Sequence, residues 1–190
     1  MPEENQDAAA VVALAGRRVD AIGTDPPRFP LENVPVVRKR LAAMLDEEGA
    51  SALVCSAACG ADLIALEEAE RLGLRRRIVL PFPPERFRET SVTDRPGDWG
   101  LVFDRLVAAA QAAGDLVVLD PGVDGSDAAY AAANEAIVRE VQVLARTGAP
   151  HRLVAVVVWE GVARAGSDAT EGFRYLAAKA GFSERSVPTL

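Results

Sequence analysis

Seven small or short residues, Ser56-Ala57-Ala58-Cys59-Gly60-Ala61-Asp62, lie between an apolar run, Ala52 to Cys55, and a helical pattern that begins near Ala61. A strand-to-helix turn of this composition lets a ligand approach the backbone, because Gly60 permits conformations that other residues resist. The first amides of the helix then face the ligand with the positive end of the helix dipole behind them, an arrangement that suits phosphate. Asp62 would repel a phosphate, so its expected contact is a ribose or a base, or else it orients the turn. The plainer alternative is a first-turn aspartate that favours the helix by about 0.3–1 kcal/mol.

Further candidates lie at other strand ends. Gly16-Arg17-Arg18 follows the apolar run AVVALA. A guanidinium there could clamp phosphate or carboxylate bidentately, and Arg17 is the one expected to point to the site. The other reading makes one of the two arginines a surface charge. Ser167, Asp168, Thr170 and Glu171 could form a second anion loop, with Ser167 or Thr170 donating to phosphate and Glu171 contacting ribose. They could equally be an N-cap with acids in the first turn, since a cap and an anion site use the same amides. Tyr130 and Asn134 are one helical turn apart, so they share a face that could stack on and hydrogen-bond a base, or simply pack. With His151 as the single histidine, no Ser-His-Asp or Cys-His set can be assembled and a tetrahedral zinc site lacks ligands. Cys55 and Cys59 are expected as small buried side chains. No metal and no cofactor is expected.

The elements that would position these residues follow from apolar periodicity. Strands are expected at 10–15, 52–55, 78–82, 116–119 and 153–159, and helices at 36–48, 61–72, 101–113, 128–146 and 168–180. A short helix and loop fill 85–100. The segment 19–35, with Pro26, Pro27, Pro30 and Pro35, reads as a long loop at the exit of the first strand; loops of that length are often functional. Asp120 to Asp127 reads as a turn. Arg75-Arg76-Arg77 is expected as a solvated cluster at a helix end. Successive βα units imply right-handed crossovers. The fold class is therefore α/β, a Rossmann-like three-layer α/β/α domain with a central parallel sheet of at least five strands. Residues 1–9 read as a flexible acidic tail, 10–182 as a single domain, and 183–190 as a C-terminal tail.

Composition narrows the function classes. The 190 residues suit one domain with a sizeable core, and 49% of them are hydrophobic. No apolar run reaches the roughly 18–20 residues of a membrane span. The acidic start lacks the basic region of a signal peptide. A cytoplasmic protein that does not engage membrane is expected. The net charge of −7 and pI near 4.9 do not favour nucleic acid as a partner. Alanine-rich faces on the helices near Leu101 and Ala128 could pack against a second copy in a homodimer.

Taken in order, the motifs resemble the SLOG superfamily, the Rossmann-like group that includes the Smf/DprA DNA-processing proteins and the Lonely-Guy (LOG) phosphoribohydrolases, also described as lysine decarboxylase-like. The resemblance, closest to the stand-alone bacterial branch, runs through Gly16-Arg17-Arg18, Ser56 to Asp62, Leu80-Pro81-Phe82, Tyr130 with Asn134, Trp159-Glu160-Gly161, and Gly166 to Thr170. It spans about Val11 to Ala180. It implies a nucleotide or nucleotide-derived ligand across the carboxyl ends of the central strands. Gly16 and Arg17 would lie at the first strand's end. Ser56, Ala57, Gly60, Ala61 and Asp62 would form the first turn, and Gly161, Gly166, Ser167, Asp168 and Thr170 would lie at the last. The chain departs from the LOG pattern Pro-Gly-Gly-x-Gly-Thr-x-x-Glu, reading Arg164-Ala165-Gly166-Ser167-Asp168-Ala169-Thr170-Glu171.

Three functions follow. The first is binding or sensing of a nucleotide-type ligand. The alternative is a hydrolase cleaving an N-glycosidic bond, with Glu171 or Asp62 as the catalytic carboxylate. The third is a degenerate domain kept for protein interaction.

Overall fold

The computed structural model describes residues 8–119, 127–147 and 151–190. Part of the expected 120–127 turn lies outside them. Six strands, β1 (Ala10–Gly16), β2 (Ala50–Cys55), β3 (Arg75–Leu80), β4 (Leu116–Val118), β5 (Arg152–Trp159) and β6 (Ser183–Pro188), form one sheet in the order β4-β3-β2-β1-β5-β6. Every pairing is parallel. The helices are α1 (Val34–Glu47), α2 (Ala61–Arg71), α3 (Pro84–Ser91), α4 (Trp99–Ala112), α5 (Asp127–Ala145) and α6 (Ala169–Lys179). This is the Rossmann-like three-layer architecture.

Alternation along β1 divides the core. Ala10, Val12 and Leu14 pack with Leu41, Leu45, Leu63, Ile64 and Phe103 of α1, α2 and α4. Val11 and Ala13 pack with Ile137, Val141 and Phe173 of α5 and α6. Both faces are covered, which is why the central strands read as unbroken apolar runs. From β1 the chain winds outward to β2, β3 and β4, then returns through α5 to β5 on the other side of β1. The winding direction therefore switches between β1 and β5. In open parallel sheets, ligands bind outside the carboxyl ends at such a point.

The expected tail at 183–190 is instead β6 and its exit. Val187 is buried, the Trp159 indole donates to Ser186 Oγ at 3.1 Å, and the Thr189 amide donates to the Trp159 carbonyl at 3.2 Å. A run of polar residues, Ser183 to Ser186, concealed this strand, because an edge strand buries few of its side chains: here only Val187 among six. The arginine cluster also departs from expectation, lying within β3 rather than at a helix end. Arg75 and Arg77 both donate to the buried carboxylate of Asp115, and Arg77 also reaches Glu140 at 2.8 Å. These acids come from the β4 approach and from α5, so only the assembled sheet supplies them.

Candidate functional site

A cleft of about 680 Å³ opens at the carboxyl ends of β1, β2 and β5. Its base is the end of β1, Leu14 to Arg18, with Ser56 from the exit of β2. Asp62, Phe87 and Ser91 wall one side, and Tyr130, Asn134 and Ile137 of α5 wall another. Arg164 and Ser167 to Thr170 come from the loop between β5 and α6, while Asp20, Thr24 and Arg28 come from the loop after β1. The structure thus gathers Gly16, Arg17, Ser56, Asp62, Tyr130, Asn134, Ser167, Asp168 and Thr170 around one space.

Other expected site residues serve the frame instead. Ala57 and Ala61 are buried in the core. Gly60 has φ 103°, and a Cβ there would lie 2.8 Å from the Val19 amide nitrogen and 2.9 Å from the Arg17 carbonyl oxygen. The close approach that Gly60 permits is that of the chain leaving β1, not of a ligand. The Ala61 amide accordingly donates to the Arg17 carbonyl at 3.2 Å and the Cys59 amide to the Ser91 carbonyl at 3.0 Å, so the turn spends much of its donor capacity within the protein. Gly161 and Gly166 are exposed, with φ of 90° and 80°. Glu171 does not line the cleft; one of its oxygens meets Arg174 at 3.5 Å.

Arg17 points to the site, but its guanidinium is already engaged. It is 3% exposed, donates to Glu160 at 2.7 and 3.2 Å, to Asp168 at 2.7 Å, and to the Val162 carbonyl at 2.8 Å. The anion it clamps is the protein's own. Asp168 completes the same correction at the second turn. Its carboxylate accepts from the Thr170 and Glu171 amides at 3.0 and 3.3 Å and from the Arg164 amide at 2.7 Å. Burial alone would raise its pKa, but Arg17 and these amides outweigh that and hold it down at about 2. A permanently charged carboxylate therefore occupies the place at the α6 N-terminus where an external anion would sit.

Asp62 behaves oppositely. Desolvation raises its pKa to about 7, and the Ala58 amide, donating at 3.1 Å, and the charge of Arg18 offset this only in part. Ser56 Oγ is buried without a hydrogen-bond partner among the described residues. An unmet hydroxyl and a carboxyl with a raised pKa thus both line the cleft. Tyr130 is held by its hydroxyl against Ser91 Oγ at 3.0 Å and by an edge contact with Phe82 at 5.7 Å. The Asn134 amide donates to the Ala169 carbonyl at 2.8 Å, joining α5 to the start of α6. Cys55 and Cys59 are buried thiols whose pKa values burial raises, to about 11 for Cys59.

Sequence reasoning missed Arg28, Arg164, Ser91 and Asp20. Arg28 lies in the proline-rich loop whose length was a signal, and Arg164 opens the loop that departs from the LOG pattern. The Asp20 carboxylate accepts from the Arg28 and Phe29 amides at 2.8 and 2.9 Å and so shapes that loop.

An open parallel sheet with its cleft at the strand-order switch defines a Rossmann-like α/β domain. Among solved structures, the chain is similar to DNA processing protein A (DprA) from Streptococcus pneumoniae, with a TM-score of 0.42 and 14% sequence identity. The similarity covers 93% of this chain and 58% of that one. No protein-family model and no curated protein matches the chain. None of the described helices is long and apolar enough to cross a membrane.

Proposed function

We propose that the domain binds a nucleotide or nucleotide-derived small molecule in the switch-point cleft. The observation that carries this is Ser56 Oγ, buried and without a partner among the described residues, in a cleft of about 680 Å³ that the Asp62 carboxyl also lines. Buried polar atoms are nearly always satisfied, and an unmet one in a cleft wall marks a place for a ligand or an ordered water. The volume falls in the range of small-molecule sites, roughly 300–1,000 Å³. A ribose offers adjacent hydroxyls that can both donate and accept, which suits a cleft lined by a serine hydroxyl and a carboxyl. The ordered SLOG-like motifs support the same ligand class.

The test is a thermal-shift screen against AMP, ADP, ATP, ADP-ribose, NAD and cyclic nucleotides, with chromatography of each incubated ligand. A ligand at 100 times its Kd stabilises the fold by about 2.7 kcal/mol. A shift with intact ligand supports binding or sensing. No shift across the panel overturns the reading and leaves protein interaction as the role to pursue.

One observation favours the hydrolase as second reading. A carboxyl with a pKa of about 7 can give and take a proton near neutrality, as a general acid–base must. On this reading the catalytic carboxylate is Asp62, which lines the cleft, and not Glu171, which does not. Release of free base by the wild type, lost in Asp62→Asn and kept in Glu171→Gln, would establish it.

A further inference from the structure

We propose that the cleft holds the phosphoryl group of its ligand on the side chains of Arg164 and Arg28, instead of on a helix N-terminus. The inference rests on the nucleotide reading above and assigns that ligand's anionic end. At the α6 N-terminus, Asp168 fills the anion position with its own charge and accepts from Arg17 and three backbone amides. At the α2 N-terminus, the Ala61 amide is spent on the Arg17 carbonyl, and Asp62 stands beside the cleft. Neither of these two helix ends offers a free cradle, which turns attention to the cleft's side chains.

Arg17 spends four of its five N–H donors on Glu160, Asp168 and the Val162 carbonyl, and Arg18 is paired with Asp94 at 2.8 Å. Arg164 differs from both. It lines the cleft, and its guanidinium makes no hydrogen bond or ion pair among the described residues. Arg28 lines the same cleft, binds Glu160 through one terminal nitrogen, and keeps about a quarter of its side chain accessible. The nearest carboxylates are already committed: Glu160 to Arg17 and Arg28, Asp168 to Arg17, and Asp20 to the Arg28 and Phe29 amides. Partial burial and the neighbouring charges of Arg17 and Arg28 disfavour the Arg164 cation, and the charges of Asp168 and Glu160 offset this only in part. A bound phosphate removes that conflict, and two guanidinium groups offer the planar forks that phosphate oxygens accept. Phosphate thus sits between the β5–α6 loop and the loop after β1, with the nucleoside extending toward Ser56 and Asp62.

The experiment is titration calorimetry on the full chain with AMP and adenosine, using wild type, Arg164→Gln and Arg164→Lys. The wild type should bind AMP more tightly than adenosine. Arg164→Gln should weaken AMP by about ten- to a hundredfold, the loss expected of a charged hydrogen-bonding group, and leave adenosine unchanged. Arg164→Lys should fall between, keeping the charge without the fork. An equal effect of Arg164→Gln on both probes, or none, overturns this inference while leaving the nucleotide reading in place. If neither probe binds, the nucleotide reading is decided by the wider panel above, and inorganic pyrophosphate decides the anion site separately. A rise in Tm with pyrophosphate that Arg164→Gln abolishes sustains the site. No rise, or the same rise in both proteins, overturns it.

Discussion

The carboxylate of Asp168 accepts from the buried guanidinium of Arg17 at 2.7 Å, joining the end of β1 to the start of α6 across 151 residues of sequence. A guanidinium suited to binding an external anion is thereby matched by the protein's own carboxylate. The pair fixes the loop between β5 and α6 and orients the helix.

Asp168→Ala removes the α6 cap and leaves Arg17 with Glu160 as its sole carboxylate partner. Lost caps cost about 1 kcal/mol and broken buried pairs about 3–5 kcal/mol. Because Glu160 stays in place, a total loss of about 2–4 kcal/mol is expected, read as a lower urea midpoint at unchanged slope. Asp168→Asn, which retains a capping oxygen, should lose less.

Stability should fall as pH rises through the Asp62 titration. The folded-state pKa of about 7 lies above that of an unfolded aspartate, about 3.9. Between those values the folded chain holds a proton that the unfolded chain has released, so the contribution is complete below pH 4 and is lost toward pH 7. The slope is about −1.4 kcal/mol per pH unit from this group. Asp168 acts in the opposite sense: its depressed pKa stabilises above about pH 4 and loses that contribution as pH falls through about 2. Urea titrations of wild type and Asp62→Asn from pH 4 to 8 should converge at low pH and separate above it, with the variant more stable at pH 8.

Gly60→Ala should destabilise by about 3 kcal/mol, combining a positive φ with a Cβ pressed onto the backbone of Arg17 and Val19. Gly161→Ala, with φ 90° and open space around it, should cost only about 1 kcal/mol. Equal costs in thermal unfolding would show that close packing at Gly60 contributes nothing.

Removal of residues 183–190 should cost at least about 3 kcal/mol. Val187 alone contributes about 2 kcal/mol by burial, and each ladder hydrogen bond about 1 kcal/mol. Trp159, which loses its Ser186 partner, supplies a fluorescence readout that should shift to longer wavelength.

The amino-acid sequence by itself determined the layered architecture. Apolar runs such as AVVALA and LVAVVVW admit only strands covered on both faces, and the 3.6-residue pattern of Leu63, Ile64 and Leu66 admits only a helix, because these are local consequences of periodicity and burial. It also located the cleft's rim, since Ser56, Asp62, Tyr130, Asn134 and Asp168 follow strand ends and helix faces. Tertiary structure alone decided what those groups do. That Asp168 serves Arg17 and that Gly60 makes room for the backbone of Val19 depend on partners more than 40 residues away in the chain. The strand β6 belongs with these, because its polar residues become edge positions only once β5 lies beside them. Periodicity reports which side of an element is buried; it carries no information on which distant charge meets which, and at this cleft that pairing separates the frame from the site.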